Sequence, residues 1–361
     1  MHGLHTNKIA ALFPPPEFLS MPSAGIDISD TSIKYLDAQY TSKGLIPRVF
    51  DSVSLKEGVV VDGVVRDTDA LSAALKELYA QNDRRFANVS LPEELVYLYT
   101  LEIPTVHGDK EIMQVIEFSL SEHAPIPAEN AMYNYDIIRR RGEITEISVT
   151  VFPKDVVKGY LEAFQKSGFQ VKVFELEARS LARSVTSTAV EGVSMIIDFG
   201  RTRTGITIAL GQIPIFSTTV KIGGDAFTES IVKHHKVSDA DADTIKLQQG
   251  IVECTPEALC QDLITTTQAL VKEIQRHYRY WNTRKDEEGN NIAPIERIFL
   301  CGGAVGVKGL PEHVSDVLHV PVEIGNVWEN MFSLDEHIPH VSRVDSWRYA
   351  TAAGLLLRDV L

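Results

Sequence analysis

One pattern is written twice in this chain and constrains its fold more than any other. An apolar run ends in an aspartate and breaks at once into a turn of small or polar residues. The first copy is Ala24-Gly25-Ile26-Asp27-Ile28-Ser29-Asp30-Thr31-Ser32, and the second runs Ser194-Met195-Ile196-Ile197-Asp198-Phe199-Gly200-Arg201-Thr202-Arg203-Thr204-Gly205. Further β-rich runs follow each copy, Ser32 to Ala38 and Arg48 to Leu55 after the first, Thr204 to Leu210 and Ile213 to Val220 after the second. A strand, an acidic turn and returning strands repeated in one chain indicate an internal duplication, and they predict two similar α/β lobes facing one cleft.

The remaining composition leaves room for this. At 361 residues the chain can bury two cores, and 44% apolar with 23% charged residues is the balance of a folded globular protein. A formal charge of −14 offers no basic face to a nucleic acid. Cys254, Cys260 and Cys301 lack metal-ligand spacing and are odd in number, which fits a reducing cytoplasm. No apolar stretch of about 18 residues occurs, so membrane contact is expected to be peripheral. Ile9, Ala10, Leu12 and Phe13 run into Pro14, Pro15 and Pro16, which stop a helix, and residues 1–23 read as a flexible tail.

The punctuation of the chain predicts its divisions. The first lobe takes 24–85 and resumes at 154–190 after an inserted small α/β subdomain, 86–153. The second lobe begins at 191–222, continues through an insertion at 223–262 and a remainder at 263–340, and a last helix at 341–361 returns to the first lobe. Helices are expected after a cap at Asp67 or Thr68, over 110–123, from a cap at Asp155 to Gly168, and from Glu177. His234, His235 and Trp281 read as surface or packing residues.

Each acidic turn offers backbone N–H groups and side-chain oxygens to an anion, and a phosphate fits such a turn. The first supplies Ser29, Asp30, Thr31 and Ser32; the second supplies Gly200, Arg201, Thr202 and Thr204. One such turn is also an ordinary hairpin connection, but two facing each other could clamp a nucleotide. Asp27 and Asp198 would then bind magnesium directly or through its waters, with Lys34 reaching the phosphates. A third segment ends the strand Ile298 to Cys301 in Gly302-Gly303-Ala304, where backbone can approach a flat ligand closely. It is not a Walker motif, because no Gly-Lys-Ser/Thr follows.

In this order the three segments resemble the two phosphate motifs and the adenosine motif of the actin, hexokinase and heat-shock ATPase superfamily. Residues 177–183 and 350–356 are similar to its two connecting helices. Asp243 and Lys246, ahead of Gly250, resemble the ribose- and base-contacting segment of bacterial actin-like proteins, with aspartate where glutamate is usual. Outside the cleft, Ser90-Leu91-Pro92-Glu93, Glu102-Ile103-Pro104, Ile116-Glu117-Phe118, His123 to Pro127 and Gly223-Gly224-Asp225 resemble the PilM family of type IV pilus assembly proteins. That family shares the inserted subdomain with the division protein FtsA.

The resemblance implies an actin-like (ribonuclease H-like) duplicated two-lobe α/β ATPase fold that binds ATP with magnesium. It implies a cytoplasmic protein of type IV pilus or related type II secretion-like assembly, held at the inner membrane by partners, docking the N-terminal cytoplasmic segment of the membrane protein PilN and linking the motor to the envelope subcomplex. Motor or platform proteins and a second copy of the chain are further candidate partners. Glu177 is the candidate for orienting a water toward the terminal phosphate, with hydrolysis expected to be slow or absent. Ser29 stands where the superfamily usually has glycine, and Arg201 and Arg203 are bulky for a phosphate turn. The alternatives are an FtsA-like adaptor, which would carry an amphipathic membrane helix after the last connecting helix, a nucleotide-free scaffold, and a small-molecule kinase of the same superfamily.

Overall fold

The computed structural model describes residues 21–105, 108–252, 259–285, 289 and 291–360. The expectations for residues 1–20 and for Cys254 lie outside these residues, as do the side chains of His234, His235 and Cys260.

In the first lobe, β1 (Ser23–Ile28), β2 (Ser32–Thr41) and β3 (Gly44–Ser54) form an antiparallel meander. A small hairpin, β4 (Val60–Val61) and β5 (Val64–Val65), and helix α1 (Thr68–Gln81) lead to β6 (Phe86–Leu91), which runs parallel to β1. Asp67 caps α1 by accepting the N–H of Ala70 at 2.9 Å. The chain then leaves for an antiparallel three-stranded sheet made of β7 (Tyr97–Pro104), β8 (Ala131–Arg141) and β9 (Ile144–Pro153), β9 central, with helix α2 (Asp109–His123) between β7 and β8. It returns through α3 (Lys154–Ser167) to β10 (Gln170–Leu176), parallel to β6 at the sheet edge, and then α4 (Glu177–Val185).

Two expected boundaries move. The insertion does not begin at 86, because β6 lies inside the first lobe's sheet between β10 and β1. Residues 87–91 are all buried, as a strand covered on both faces must be. Nor does Asp155 cap α3: Pro153 holds the cap position and Asp155 falls in the first turn, where its charge meets the positive end of the helix. Gly168 closes α3 in the left-handed conformation at φ +98.

The second lobe repeats the first. The strands β11 (Val193–Phe199), β12 (Thr204–Leu210) and β13 (Ile213–Val220) form a meander, followed by α5 (Gly224–His235), α6 (Asp239–Gln248) and α7 (Leu259–Thr283). β14 (Ile295–Cys301) lies parallel to β11; α8 (Leu310–Leu318) and β15 (Val322–Ile324) complete the sheet. The division expected at 262 falls inside α7, and the last segment is broken into α9 (Arg343–Ser346), a 3-10 turn at Trp347–Tyr349 and α10 (Ala350–Leu357). Strand orders β10-β6-β1-β2-β3 and β13-β12-β11-β14-β15 share one connectivity, a meander joined to two parallel strands.

Side-chain alternation turns this duplication into a cleft. Ala24, Ile26 and Ile28 pack outward on α1 and α3, with Leu71, Leu75, Leu78, Tyr160 and Phe164. Met195, Ile197 and Phe199 pack outward on α5, α7 and α8, with Phe227, Ile274 and Val314. Because neighbouring residues of a strand face opposite ways, Asp27 and Asp198 must point inward, toward the layer between the sheets. That layer is built by α4 and α10, whose Leu181, Ala182, Ala353 and Leu356 pack with Leu36, Ile196 and Phe299. A Cβ on Gly354 would stand 1.8 Å from the carbonyl oxygen of Ser180, so the two helices cross where no side chain fits. Likewise a Cβ on Gly25 would meet the carbonyl oxygen of Ala352 at 2.2 Å.

The insert packs Ile112, Ile116 and Leu120 of α2 on Ile147, Val149 and Val151. Its other face is tied to the second lobe, where Ser148 donates to the carbonyl of Pro214 at 2.6 Å. From α4, Arg179 reaches both Asp136 of β8, at 3.0 Å, and the carbonyl of Gln212. Among the described residues, no helix is long and apolar enough to cross a membrane.

Candidate nucleotide-binding site

Asp27 and Lys34 are register partners on β1 and β2, and Lys34 Nζ donates to Asp27 Oδ2 at 2.7 Å. Ser90 at the end of β6 donates to the other oxygen at 2.9 Å. Asp198 faces this pair from β11. Burial pushes its carboxyl up to about 6; the positive charge of Lys34 pulls the other way, and the negative charge of Asp27 adds to the rise. Glu177, at the first turn of α4, is held well above the usual carboxylate range by burial and by the charges of Asp27, Asp198 and Glu93. Lys34 is raised: burial alone would lower it, but the attraction of Asp27, Asp198 and Glu177 outweighs that. Gly302 approaches from β14 with φ +95, and a Cβ there would lie 2.3 Å from Asp198 Oδ1. Only glycine admits this loop to the carboxylate.

The turns themselves are now resolved in direction. Ser29 folds its hydroxyl back into its own turn, donating to the carbonyl of Ser32 at 3.1 Å and accepting the N–H of Ser32 at 3.2 Å. Asp30 accepts the N–H groups of Asp62 and Gly63, both at 3.2 Å, and the carbonyl of Thr31 accepts the N–H of Leu55 at 2.8 Å. In the second turn the N–H of Gly200 donates to the carbonyl of Arg203 at 3.0 Å, and Thr204 is buried with its hydroxyl on Ile222. Thr202 is exposed. The two arginines part company: Arg201 turns outward to Asp225 at 3.0 Å, while Arg203 turns inward to Asp30 and Glu94.

The glycine-rich side of the cleft is assembled from the second lobe. The N–H of Ala304 donates to the carbonyl of Phe199, and the N–H of Gly224 to that of Gly200. A Cβ on Gly224 would strike the Ala304 side chain at 2.7 Å, whereas Gly303 has ordinary space around it. On α6, Lys246 lies 2.6 Å from Asp243 and donates to Thr228 at 2.6 Å. The Asp243 side chain is 60% exposed at the rim. The N–H of Lys308 donates to the carbonyl of Lys246, joining α6 to the glycine-rich loop.

Sequence reading did not place Glu93 and Glu94 in the cleft. They follow Pro92 directly after the buried strand β6, and that position, two acids at the end of a central parallel strand, was the available signal. Glu93 Oε1 accepts from Thr207 of the second lobe at 3.3 Å, and the hydroxyl of Ser217 on β13 also hydrogen-bonds this buried carboxyl. Burial, with the charges of Glu94 and Asp198, pushes it up to about 8.

This donor set suits a hydrated divalent cation: two carboxylates from facing strands in a site where neighbouring acids outnumber Lys34 and Arg203. Among the described residues no three His, Cys, Asp or Glu side chains converge as metal ligands. A cation here would therefore depend on Asp27, Asp198, water and oxygens of a bound ligand, the mixture that magnesium prefers.

Comparison with known proteins places this geometry. The chain is 25% identical to the cell division protein FtsA of Streptococcus pneumoniae, over 89% of this chain and 81% of that one. The PilM-PilN type IV pilus biogenesis complex superposes with a TM-score of 0.76 at 20% identity, covering 94% of this chain and 99% of that chain. MreB5 of Spiroplasma citri bound to ADP superposes with a TM-score of 0.50 at 11% identity, covering 92% and 95%. The shared fold is actin-like. The family model of the type IV pilus assembly protein PilM matches residues 25–360, which takes in both acidic turns, the insert and both crossing helices. The chain therefore belongs to the PilM family of type IV pilus assembly proteins.

Proposed function

We propose that the chain is an ATP-binding adaptor of type IV pilus assembly. It would clamp Mg-ATP between its lobes and dock the N-terminal cytoplasmic segment of a PilN-like membrane protein, which would hold it at the inner face of the membrane. The observation that carries the nucleotide reading is the meeting of Asp27, Lys34, Asp198 and the Gly302 loop between two copies of one turn. Asp27 and Asp198 are suited to the magnesium ion, Lys34 and the turn backbones to the phosphates, and Gly303, Ala304 and Lys246 to the nucleoside side. Magnesium, when bound, supplies the positive charge that the carboxylates and phosphates together lack.

Slow turnover, or none, follows from Glu177. Burial and the charges of Asp27, Asp198 and Glu93 raise its carboxyl, which disfavours the charged form that would accept from a water. Binding, with a population shift between lobe arrangements, is then the working role.

Partner docking is supported by family membership and by the junction of insert and first lobe. An open groove of about 380 Å³ there has Met132, Val157, Leu161, Val173 and Phe174 as its apolar lining, with Lys154, Lys158 and Lys172 around it. Beside it lies a smaller cavity of about 130 Å³ lined by Asn134, Asp136, Ser148 and Arg179. An extended segment carrying apolar side chains and an acid fits such a lining.

Titration calorimetry with Mg-ATP tests the nucleotide reading. Micromolar binding by the natural chain, weakened at least about tenfold in Asp198→Ala, is expected, a loss of about 1.4 kcal/mol or more. A folded natural chain that binds no ATP would overturn it.

A further inference from the structure

The cleft contains a cation that joins three parts of the molecule. Arg203 belongs to the turn of the second lobe. It reaches Asp30 in the turn of the first lobe at 3.1 Å, and Glu94 at the root of the insert at close range. All three side chains are largely withdrawn from solvent, 18% exposed for Arg203, 21% for Asp30 and 13% for Glu94. Asp30 is itself fixed by the N–H groups of Asp62 and Gly63, so the guanidinium pulls on a rigid anchor. A second tie between the lobes, Lys221 to Asp62 at 2.9 Å, is mostly exposed and correspondingly weak.

A polyphosphate lying between the two turns would lie between Arg203 and Asp30. It would offer the guanidinium phosphate oxygens in place of the two carboxylate oxygens, one from Asp30 and one from Glu94, that now share its Nη1, and with more charge. We propose that Arg203 is a latch: in the empty cleft it draws the two turns and the insert root together through Asp30 and Glu94, and a bound polyphosphate takes the guanidinium over and releases Glu94. The release step rests on the nucleotide reading of the cleft; the tie itself does not. Electrostatics agrees with the tie, since burial would lower Arg203 but Glu94, Glu177 and Asp30 together raise it.

Glu94 is then a competitor of the ligand, and this separates a latch from a support. Amide hydrogen exchange on the nucleotide-free chain tests the tie, followed by Mg-ATP titration to test the release, using Arg203→Ala, Arg203→Lys, Glu94→Gln and Lys221→Ala. The amides to follow are Ser29, Gly200 and Val96, each hydrogen-bonded within a latched turn. Exchange at these sites is expected to rise about tenfold in Arg203→Ala and less in Arg203→Lys, which keeps the charge but lacks the planar, delocalised guanidinium, with Lys221→Ala close to the natural chain. Glu94→Gln should bind Mg-ATP about fivefold more tightly, and Arg203→Ala about tenfold more weakly. Unchanged exchange in Arg203→Ala would overturn the tie. A Glu94→Gln variant that loses affinity as Arg203→Ala does would overturn the release and make Glu94 a support. If exchange responds but the natural chain binds no Mg-ATP, the nucleotide reading and the release fall together while the tie is upheld.

Discussion

Glu93 keeps a proton that a solvent-facing glutamate would lose. Its carboxyl titrates at about 8 in the folded chain against an ordinary 4.5, so the folded state holds one more proton than the unfolded state between those values. Stability from this group is therefore intact below about pH 4.5, falls as pH rises toward 8 and levels off above it. Glu93→Gln keeps an acceptor for Thr207 and removes the charge. It should be more stable than the natural chain at pH 8.5 by on the order of 1–3 kcal/mol and nearly equal at pH 5, read from thermal unfolding at both. A difference independent of pH would contradict the assignment. Residues of this kind mark the limit of what the sequence discloses. Asp27 and Asp198 stand out in the sequence because each ends an apolar run just before a polar turn. The behaviour of Glu93 and Glu94 comes from Thr207 and Arg203 of the other lobe, which no local pattern contains. The same limit holds for Ser29, visible as a replaced glycine while the inward fold of its hydroxyl was not.

The elements divide in a similar way. Ala350, Ala352, Ala353 and Gly354 leave α10 bare enough for a close helix crossing, and Gly354 is where α10 meets α4. Gly354→Ala should destabilise the chain by about 3 kcal/mol or more, because the methyl meets backbone that cannot move aside. Gly142→Ala, in open space but at φ +58, should cost only about 1 kcal/mol. Urea unfolding midpoints compare them, and equal losses would show that the crossing relaxes. By contrast, β6 reads identically as the start of an insert or as a lobe strand. Only its pairing with β1 and β10 decides, and pairing partners distant in sequence leave no local trace.

At the scale of the molecule the two proposed surfaces lie apart, one between the lobes and one between insert and first lobe. Leu161→Glu places a charge in the apolar groove. It should weaken capture of a PilN-like N-terminal peptide at least about tenfold while leaving Mg-ATP titration unchanged. Loss of both would mean the change had unsettled the fold, and loss of neither would remove the groove as the docking site. One further property follows from Gly25 resting on Ala352. A strand translated before the second lobe is covered by a helix translated after it. While the ribosome works through the second lobe, the inner face of the first sheet has no lid, so the lobe that emerges first matures last. A chain stalled before α10 would display Leu36 and its neighbours to chaperones and proteases, however well its other layers had formed.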